Sequence, residues 1–364
     1  MNVVHLVSNR VWGGGERYVL DLARAQRADG HRVAVITRNR EAVRKPFAAD
    51  GLLGGTMRLG GAWDVLSQVH LARFLRRMPE GRTVVHTHNF KDAATALAAR
   101  RLCLGRAADI RVICTRHLVK PASLSRSNLR TYADLDAIIF VSELARREFM
   151  STAPGGIDPA RLHVIHNAIP AADSPGKESR PTNPDAPVNM IFAGRITPEK
   201  GLDTLLRALA ELPVSLPWHL EICGTGMSRE VMPLVRLSRG LGLENRITWA
   251  GHVPDVREHM RRADLCVAPT RAREAFGLTV LEAFHCGLPV VTTDNGAQSE
   301  IMTDGNEGLL VPPGDTTALA RALERLVSDA ALRASMSRAA LDTARHHNYT
   351  FFYNKISDVY NERR

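Results

Sequence analysis

The chain has 364 residues, of which 45% are hydrophobic and 24% charged, a globular composition that argues against disorder and, at this length, predicts two domains. Its charge is uneven: residues 1–170 carry 26 basic and 14 acidic residues, a net +12, whereas residues 171–364 carry 22 and 24, a net −2. The basic excess predicts an anionic partner, and because no base-stacking motif occurs, we expect one other than nucleic acid. No run of about 18 apolar residues occurs, so we expect no membrane-spanning helix.

Strands and helices alternate along residues 1–170. The first strand, VVHLVS, lies in MNVVHLVSNR, which lacks the charged flank and long apolar stretch of a signal peptide. A helix is predicted from Glu16 to Ala28, and the strands RVAVIT, TVVHTHN, DIRVICT and DAIIFVS follow. This alternation predicts an α/β domain of parallel strands covered by helices. The five scattered cysteines are typical of a reducing compartment, so we expect a cytoplasmic protein.

A proline-rich segment, residues 171–189, predicts a linker. A second alternating series then fills residues 190–348, with the strands NMIFAGR, WHLEICG, RITWAGH, ADLCVAPT and PVVTTDN. The sequence therefore predicts two doubly wound domains that face across a cleft. Ligands of such sheets bind beyond the carboxyl ends of the strands, so the residues just after each strand are the candidates for function.

The segment FAGRITPEKG follows the first strand of the second series. Gly194 would let a ligand approach the backbone, while Arg195 and Lys200 could reach one diphosphate from two directions. Taken alone, the segment fits two solvated surface cations equally well.

Two glycine-rich turns also follow strands. ICGTG places Gly224 after a strand, and GGGE places Gly14, Gly15 and Glu16 at the start of a helix, where backbone amides stabilise anions. Neither has the GxGxxG spacing, which argues against a nicotinamide-binding dehydrogenase. Each alone also fits an ordinary tight turn.

The segment APTRAREAFGLTVLEAF carries two carboxylates with seven residues between them. With a helix starting near Gly277, Glu274 would lie in the preceding loop and Glu282 on the second turn. Carboxylates accept hydrogen bonds from diols, so one could bind a hexose and the other a ribose. After the next strand, Gly296 and Ala297 precede a second helix start near Gln298, whose amides could bind phosphate.

Taken together, FAGRITPEKG, ICGTG, AGHVPDV, the segment from Glu274 to Glu282 and EGLLVPPGD resemble the retaining GT-B glycosyltransferases of family 4. GGGE, HTHN, VSE and VIHNAIP resemble the N-terminal half of that pattern more loosely. The resemblance covers nearly the entire chain and implies two Rossmann-like domains. The first, 1–170 with a crossover helix at 349–364, would bind the acceptor. The second, 190–348, would bind a UDP- or GDP-type nucleotide sugar, with no cofactor.

The resemblance also implies roles for single residues. Arg195 and Lys200 would bind the donor diphosphate, Glu274 the donor sugar and Glu282 the ribose, while His88 would lie near the donor sugar from the first domain. Glu274, His88, Arg195 and Lys200 are the expected catalytic group. The other expected donor contacts are Gly14, Gly15, Gly194, Gly224, His252, Val253, Phe276, Gly277, Leu278, Gly296 and Ala297. His117 and Glu16 are weaker candidates on the acceptor side.

We expect no bound metal. His86 alternates onto the same strand face as His88, but no third ligand is apparent, and His88 could also be an ordinary strand histidine. Asp134 and Asp136 spell a DxD, a metal signature of another glycosyltransferase fold. Here the motif precedes a strand, so we interpret it as a helix-to-strand junction.

Two alternatives to a transferase remain open. An epimerase or phosphorylase on the same fold would bind a sugar nucleotide without a separate acceptor. A non-catalytic binding protein with a degenerate transferase fold would need none of Arg195, Lys200, Glu274 and Glu282, and all four are present. A glycosidase is disfavoured because Glu274 and Glu282 are too close in sequence to flank a glycosidic bond.

The basic first domain suggests where the acceptor comes from. Residues 64–78 predict an amphipathic helix with an apolar stripe of Val65, Val69 and Ala72, beside Leu66, and a basic end of Arg73, Arg76 and Arg77. Such a helix can lie in an anionic membrane interface. We therefore hypothesise a peripheral protein at the inner face of a bacterial membrane, acting on a glycan or lipid-linked acceptor in lipopolysaccharide or polysaccharide synthesis. An ordinary helix packed on its own sheet is the alternative.

Overall fold

The computed structural model describes residues 1–103, 105, 109–152, 154–170 and 186–362. The chain divides into two compact units. Unit 1 comprises Met1–Asn167 and Tyr349–Arg364, and unit 2 comprises Ala168–Asn348. Most of the predicted linker, 171–185, lies outside the described residues. The first strand of unit 2 begins at Val188, so the predicted start of the second domain at 190 is two residues too late.

Unit 1 contains one sheet of seven parallel strands in the order β3-β2-β1-β4-β5-β6-β7. The strands are β1 (Asn2–Val7), β2 (Arg32–Thr37), β3 (Leu53–Thr56), β4 (Thr83–Thr87), β5 (Ile110–Arg116), β6 (Ala137–Phe140) and β7 (Leu162–Val164). Every residue of β1, β4 and β5 is buried, as expected for central parallel strands covered on both faces.

Among the described residues of unit 1, six α-helices lie between these strands. They are α1 (Gly14–Ala28), α2 (Glu41–Ala49), α3 (Val65–Arg76), α4 (Phe90–Leu102), α5 (Arg126–Asp134) and α6 (Glu143–Met150). Side chains of Asp64, Asn89, Ser125 and Ser142 cap the last four by accepting a backbone amide of the first turn.

The amphipathic helix is present as α3, but its predicted apolar stripe is partly wrong. The buried face consists of Ser67, Gln68, Leu71, Ala72 and Leu75, and the helix packs on α4. Val65 and Leu66 are instead 62% and 72% exposed. The two residues open the helix directly after its N-cap, Asp64, and lie outside the buried face.

Unit 2 contains a second parallel sheet, in the order β10-β9-β8-β11-β12-β13. The strands are β8 (Val188–Ala193), β9 (Trp218–Cys223), β10 (Ile247–Gly251), β11 (Leu265–Ala268), β12 (Val290–Thr293) and β13 (Gly308–Val311). The helices are α7 (Leu202–Ala210), α8 (Ser228–Gly240), α9 (Val256–Met260), α10 (Leu278–His285), α11 (Thr316–Ser328) and α12 (Ala330–His346). The two doubly wound α/β sheets confirm the predicted fold class.

The last helix, α13 (Tyr349–Asn361), belongs to unit 1. Its buried residues are Phe352, Ile356, Val359 and Tyr360. At its C-terminal end, the backbone carbonyls of Asn361 and Glu362 accept hydrogen bonds from Arg82 at 3.0 and 2.6 Å. The C-terminal segment of the chain thus helps to build the core of the N-terminal sheet.

Candidate active site

The unit 2 sheet changes its direction of connection between β8 and β11. The chain leaves β8 towards β9 and leaves β11 towards β12, so the loops after β8 and β11 diverge at the carboxyl edge of the sheet. Lys200 follows β8, Glu274 follows β11, and their side chains form an ion pair. The side chains are 30% and 25% exposed, so solvent reaches the pair. Two residues predicted to bind the donor therefore lie together at the switch point of the sheet.

Close backbone packing holds Lys200 in this position. Gly201, the next residue, has a φ of 68°, and a Cβ there would lie 2.0 Å from the carbonyl oxygen of Pro269. The Glu199 carbonyl accepts a hydrogen bond from the Arg271 amide at 2.7 Å. Only glycine satisfies both the left-handed conformation and the contact, so the loop after β8 is fixed against the end of β11.

The ends of β8, β9 and β10 carry further predicted donor contacts. Arg195 is exposed at the end of β8. A Cβ on Gly224 would lie 1.8 Å from the carbonyl oxygen of Gly194, and the Gly224 amide donates to the Gly251 carbonyl at 2.7 Å. Gly224 is therefore needed for packing between strand ends. His252–Val253 follow β10 at the same edge of the sheet.

The loop that carries Glu274 is fixed by the segment after β12. The Ala297 amide donates to the Glu274 carbonyl at 2.9 Å, and a Cβ on Gly296 would lie 2.7 Å from the Glu274 backbone nitrogen and oxygen. Phe276 is buried, and Gly277 has a φ of 98° at the N-cap of α10. Gly296 and Ala297 thus position the Glu274 loop.

Leu278 is the first residue of α10, and Glu282 lies on its second turn, as the sequence predicts. Glu282 faces β11, where its carboxylate adds to the effect of burial in raising the pKa of Cys266. The second helix start expected near Gln298 is present as a four-residue 3-10 helix, Ala297–Glu300. The Ala297 amide is already bonded, so fewer amides are free there than a helix start would offer. The Gln298 side-chain oxygen is buried and has no hydrogen-bond partner within the described part of unit 2.

In unit 1, the glycine-rich turn after β1 leads directly into α1. Gly14 and Gly15 form its first turn, with Gly13 as the N-cap. Glu16 is buried in the same turn, and its carboxylate accepts a hydrogen bond from Asn9. The acidic side chain therefore lies at the helix N-terminus where an anionic ligand was expected.

Four histidines form a connected cluster at the carboxyl edge of β1, β4 and β5. Its first branch runs from Gln26 on α1 to His5 (Oε1 to Nε2, 2.7 Å), then to His88 (Nδ1 to Nε2, 3.2 Å) and to His117 (Nδ1 to Nε2, 3.3 Å). Because the Gln26 oxygen can only accept, His5 carries its proton on Nε2 and accepts from His88 on Nδ1. His88 in turn accepts from His117. The branch therefore fixes the tautomer of each neutral ring.

The second branch starts from the same glutamine. The Gln26 amide donates to the Tyr360 hydroxyl of α13 at 3.0 Å, and that hydroxyl lies 2.6 Å from His86 Nδ1. His86 Nε2 lies 2.7 Å from the Thr115 hydroxyl. Gln26 and Tyr360 thus join α1 and α13 to the histidines of the sheet.

Burial keeps these histidines neutral. It lowers the pKa of His5 and of His117 to about 4, and that of His86 and His88 well below the usual value. His5 and His86 are fully buried, whereas His88 and His117 are half-buried. The two residues predicted from the sequence are therefore the accessible end of the cluster.

The expectation that His86 and His88 lack a third metal ligand was wrong. His5 lies opposite His86 in the β1–β4 register, and the three rings bring one nitrogen each within 4.8 Å of one another. A second group of this kind, in unit 2, is Glu221, Cys223 and His259. In the first group, both ring nitrogens of His5, His86 and His88 already have hydrogen-bond partners, so a metal would have to displace several of them.

The DxD motif lies at the junction that the sequence predicts. Asp134 ends α5 and pairs with Arg101. Asp136 precedes β6, and its carboxylate accepts hydrogen bonds from Arg100 at 2.6 Å and from the Val112 amide at 2.7 Å. Both carboxylates thus serve to join α5, α4 and the sheet.

Known proteins match both halves of the chain. Residues 12–173 match the model of Glycosyltransferase Family 4, and residues 177–343 match that of Glycosyl transferases group 1. An exopolysaccharide phosphotransferase of Streptomyces coelicolor is 32% identical over 76% of the chain, which spans only 28% of that protein. The lipopolysaccharide core biosynthesis glycosyltransferase LpsE of Rhizobium meliloti is 36% identical over 44% of the chain and 46% of its own length. A phosphatidyl-myo-inositol mannosyltransferase of Mycobacterium leprae is 29% identical over 96% of the chain and 92% of its length.

Solved structures agree with the fold. The structure of HepE from Anabaena in complex with UDP superposes with a TM-score of 0.82 at 20% identity, over 98% of this chain and 99% of HepE. At that identity the likeness concerns the fold alone. With two matched family models that together cover nearly all of it, the chain belongs to the family 4 glycosyltransferases of the glycosyl transferases group 1, which have the GT-B fold.

Proposed function

We propose that the protein is a retaining, metal-independent glycosyltransferase that moves a sugar from a nucleoside diphosphate donor to a glycan or glycolipid acceptor. The observation that carries this proposal is the Lys200–Glu274 ion pair at the switch point of the unit 2 sheet, with Arg195 exposed at the same edge. A diphosphate and a sugar are the two chemical groups that these three side chains suit.

Donor binding would exchange the partners of this pair. The diphosphate would take Lys200 and Arg195, and the released Glu274 carboxylate could then accept hydrogen bonds from sugar hydroxyls. Because Lys200 and Glu274 neutralise each other beforehand, neither charge is left unpaired in the free protein. The buried, unpartnered oxygen of Gln298 beside Gly296 offers one further acceptor for a ligand hydroxyl.

In the proposed reaction, the bond between the anomeric carbon and the diphosphate oxygen breaks, and a bond to the acceptor oxygen forms on the same face of the sugar. The acceptor proton passes to the leaving diphosphate oxygen, so no side chain need act as the base. Arg195 and Lys200 would stabilise the charge that develops on the diphosphate. His88, neutral and held by His5 and His117, would contribute a fixed ring near the sugar.

The relatives support a donor and a pathway only in outline. HepE structures hold UDP and UDP-glucose, which supports a UDP- or GDP-type donor. Names such as lipopolysaccharide core glycosyltransferase and phosphatidyl-myo-inositol mannosyltransferase support a role in bacterial cell-surface synthesis. Among the described residues, no helix is long and apolar enough to span a membrane. We propose a cytoplasmic protein that makes a peripheral contact with anionic lipid through α3.

A ligand panel tests the proposal. Thermal unfolding should shift upward with one UDP- or GDP-sugar, since a ligand at about 100 times its dissociation constant adds roughly 2.7 kcal/mol. Arg195→Ala or Lys200→Ala should lower transfer at least about tenfold, because each removes a charge-assisted phosphate contact. Arg207→Ala is the matched control, an exposed arginine on α7. Unchanged transfer in both site variants would contradict the assignment, and conversion of the donor to a new sugar without acceptor would indicate an epimerase.

A further inference from the structure

Unit 1 has a second feature that the family assignment leaves unexplained. A cavity of about 770 Å³ opens where the loops after β1, β2 and β3 meet the start of α4. Its size is that of a site for a small organic ligand. Five of its lining residues are cationic: Arg10, Arg38, Arg40, Arg58 and Lys91. None of the lining residues is acidic.

Carboxylates act on two of these cations only from a distance, Asp92 on Arg38 and Asp64 on Arg58. Within the described part of the chain, no carboxylate lies within ion-pairing distance of any of them. This differs from Arg100 and Arg101 of the same unit, which pair with the DxD carboxylates. Like charges around one cavity repel each other, so an anion that enters it relieves an unfavourable interaction.

Arg38 shows how the cavity is built. One terminal nitrogen of its guanidinium donates to the Leu59 carbonyl at 3.0 Å, which fixes the side chain on the loop after β3. Its Nε is buried and has no hydrogen-bond partner among the described residues. Leu59 has a φ of 50°, an uncommon conformation for a residue with a side chain. The guanidinium is thus anchored at one end and left with an unused donor.

Neutral groups add to the site. Asn39 and Thr56 line the cavity and offer hydrogen bonds to hydroxyls. Val11, Trp63 and Leu66, which are close in sequence to lining residues, are 56%, 94% and 72% exposed. A polar, strongly basic cavity is suited to a phosphorylated head group, and these exposed apolar side chains, nearby in the sequence, could contact an acyl or polyprenyl chain that it carries.

We propose that this cavity binds the phosphate-bearing part of the acceptor, a phosphorylated sugar or polyol with at least two negative charges. Arginine forks bind phosphate oxygens in pairs, and five cations exceed what one monoanion needs. The identification of this ligand as the acceptor rests on the proposed transferase function, whereas the binding of a phosphate by the cavity does not. Lys200 and Arg195 in unit 2 serve the donor, so the two phosphate sites are separate in the chain.

The test measures binding without any reaction. The probes are glycerol 3-phosphate and dioctanoyl phosphatidic acid, titrated at low salt by calorimetry against the full chain, with dioctanoyl phosphatidylcholine as the zwitterionic control. The double variant Arg40→Ser/Arg58→Ser should weaken the phosphate probes at least about tenfold. Arg130→Ser/Arg147→Ser, which removes the same charge from exposed positions on α5 and α6, should weaken them less than about threefold.

The two probes distinguish the source of the phosphate. Tighter binding of phosphatidic acid, lost in Trp63→Ser/Leu66→Ser, identifies a lipid head group, whereas equal binding of both probes identifies a soluble phosphate. Either result supports the site. Equal losses in the cavity and control variants, or no binding of either phosphate probe, overturn it.

UDP titrated into the same proteins separates this proposal from the proposed function. UDP binding should be lost in Lys200→Ala and retained in Arg40→Ser/Arg58→Ser. A protein that binds UDP but neither phosphate probe would refute the cavity alone. One that binds the probes but no nucleotide or nucleotide sugar would refute the transferase function and leave the anion site standing.

Discussion

Removing the hydroxyl of Tyr360 tests whether the last helix stabilises the histidine cluster. Tyr360 is 1% exposed, and its hydroxyl bonds both the Gln26 amide and His86 Nδ1. In Tyr360→Phe the ring keeps its edge-to-face packing on His86, with centroids 5.6 Å apart. The substitution therefore removes two hydrogen bonds with little change in volume.

The expected cost follows from the two groups left behind. The Gln26 amide and His86 Nδ1 would each lose a buried partner, and a buried unsatisfied group costs about 1–3 kcal/mol. We expect a loss of about 2–6 kcal/mol in the stability of unit 1. Tyr353→Phe is the matched control on the same helix, since its hydroxyl donates to Asp29 at 2.8 Å near solvent. There we expect at most about 1 kcal/mol, because water can replace the tyrosine.

Hydrogen-exchange mass spectrometry of the full chain measures this loss of stability in unit 1, because peptides that cover β4 and β5 report on that unit alone. A loss of 2 kcal/mol corresponds to exchange about 30-fold faster, since 1.4 kcal/mol is a factor of ten. Exchange in Tyr360→Phe that is no faster than in Tyr353→Phe would refute the reasoning, because it would mean that the buried groups find other partners.

Three further predictions follow from the site, the cluster and α3. Transfer should survive excess EDTA, since we assign the diphosphate to Arg195 and Lys200. Loss of activity that a divalent ion restores would contradict this. It would point to a metal at one of the two candidate groups, which are His5, His86 and His88 in unit 1 and Glu221, Cys223 and His259 in unit 2. Unit 1 should lose stability as pH falls from about 6.5 towards 4, because the unfolded chain binds protons that burial keeps from the folded histidines. The loss should be up to about 1.4 kcal/mol per pH unit for each of His5 and His117. In thermal unfolding, His117→Gln should lose less stability over this pH range than the unmodified protein, and an equal loss contradicts the prediction. The protein should sediment with anionic vesicles, less so at high salt and in the Arg73→Ser/Arg76→Ser/Arg77→Ser variant; equal sedimentation with neutral vesicles would contradict this.

The sequence was a good guide to the fold because the central strands are buried on both faces. β1, β4 and β5 are buried along their whole length, and these three strands, β8 and β9 were each predicted. The strands that were not predicted lie at or near the sheet edges and are short. β3 is LGGT, with two glycines, and β7 is three residues long. Such strands form because the neighbouring strand, β2 for β3 and β6 for β7, supplies their hydrogen bonds. The local sequence pattern does not show this pairing.

The candidate site was predicted in part. The positions of Glu274 and Gly277 relative to the start of α10 agree with the sequence prediction, and their roles stay predictions. His5 was missed as a partner of His86, because only the placement of β4 beside β1 brings them together. The signal was the single histidine in an otherwise apolar first strand, two residues before its end. Gln26 and Tyr360, separated by more than 300 residues, gave no signal at all.

The two proposed phosphate sites differ in how their charge is balanced before a ligand arrives. Lys200 already has Glu274 as a counterion, so a diphosphate replaces one partner with another and the net electrostatic change is small. The cations around Arg38 have no carboxylate within ion-pairing distance among the described residues, so a phosphate there neutralises charge that Asp64 and Asp92 balance only in part and from a distance. Solvent ions screen the second kind of site far more strongly than the first. Binding at the unit 1 cavity should therefore depend steeply on salt, while donor binding depends more on the geometry that Gly201 and Gly296 impose.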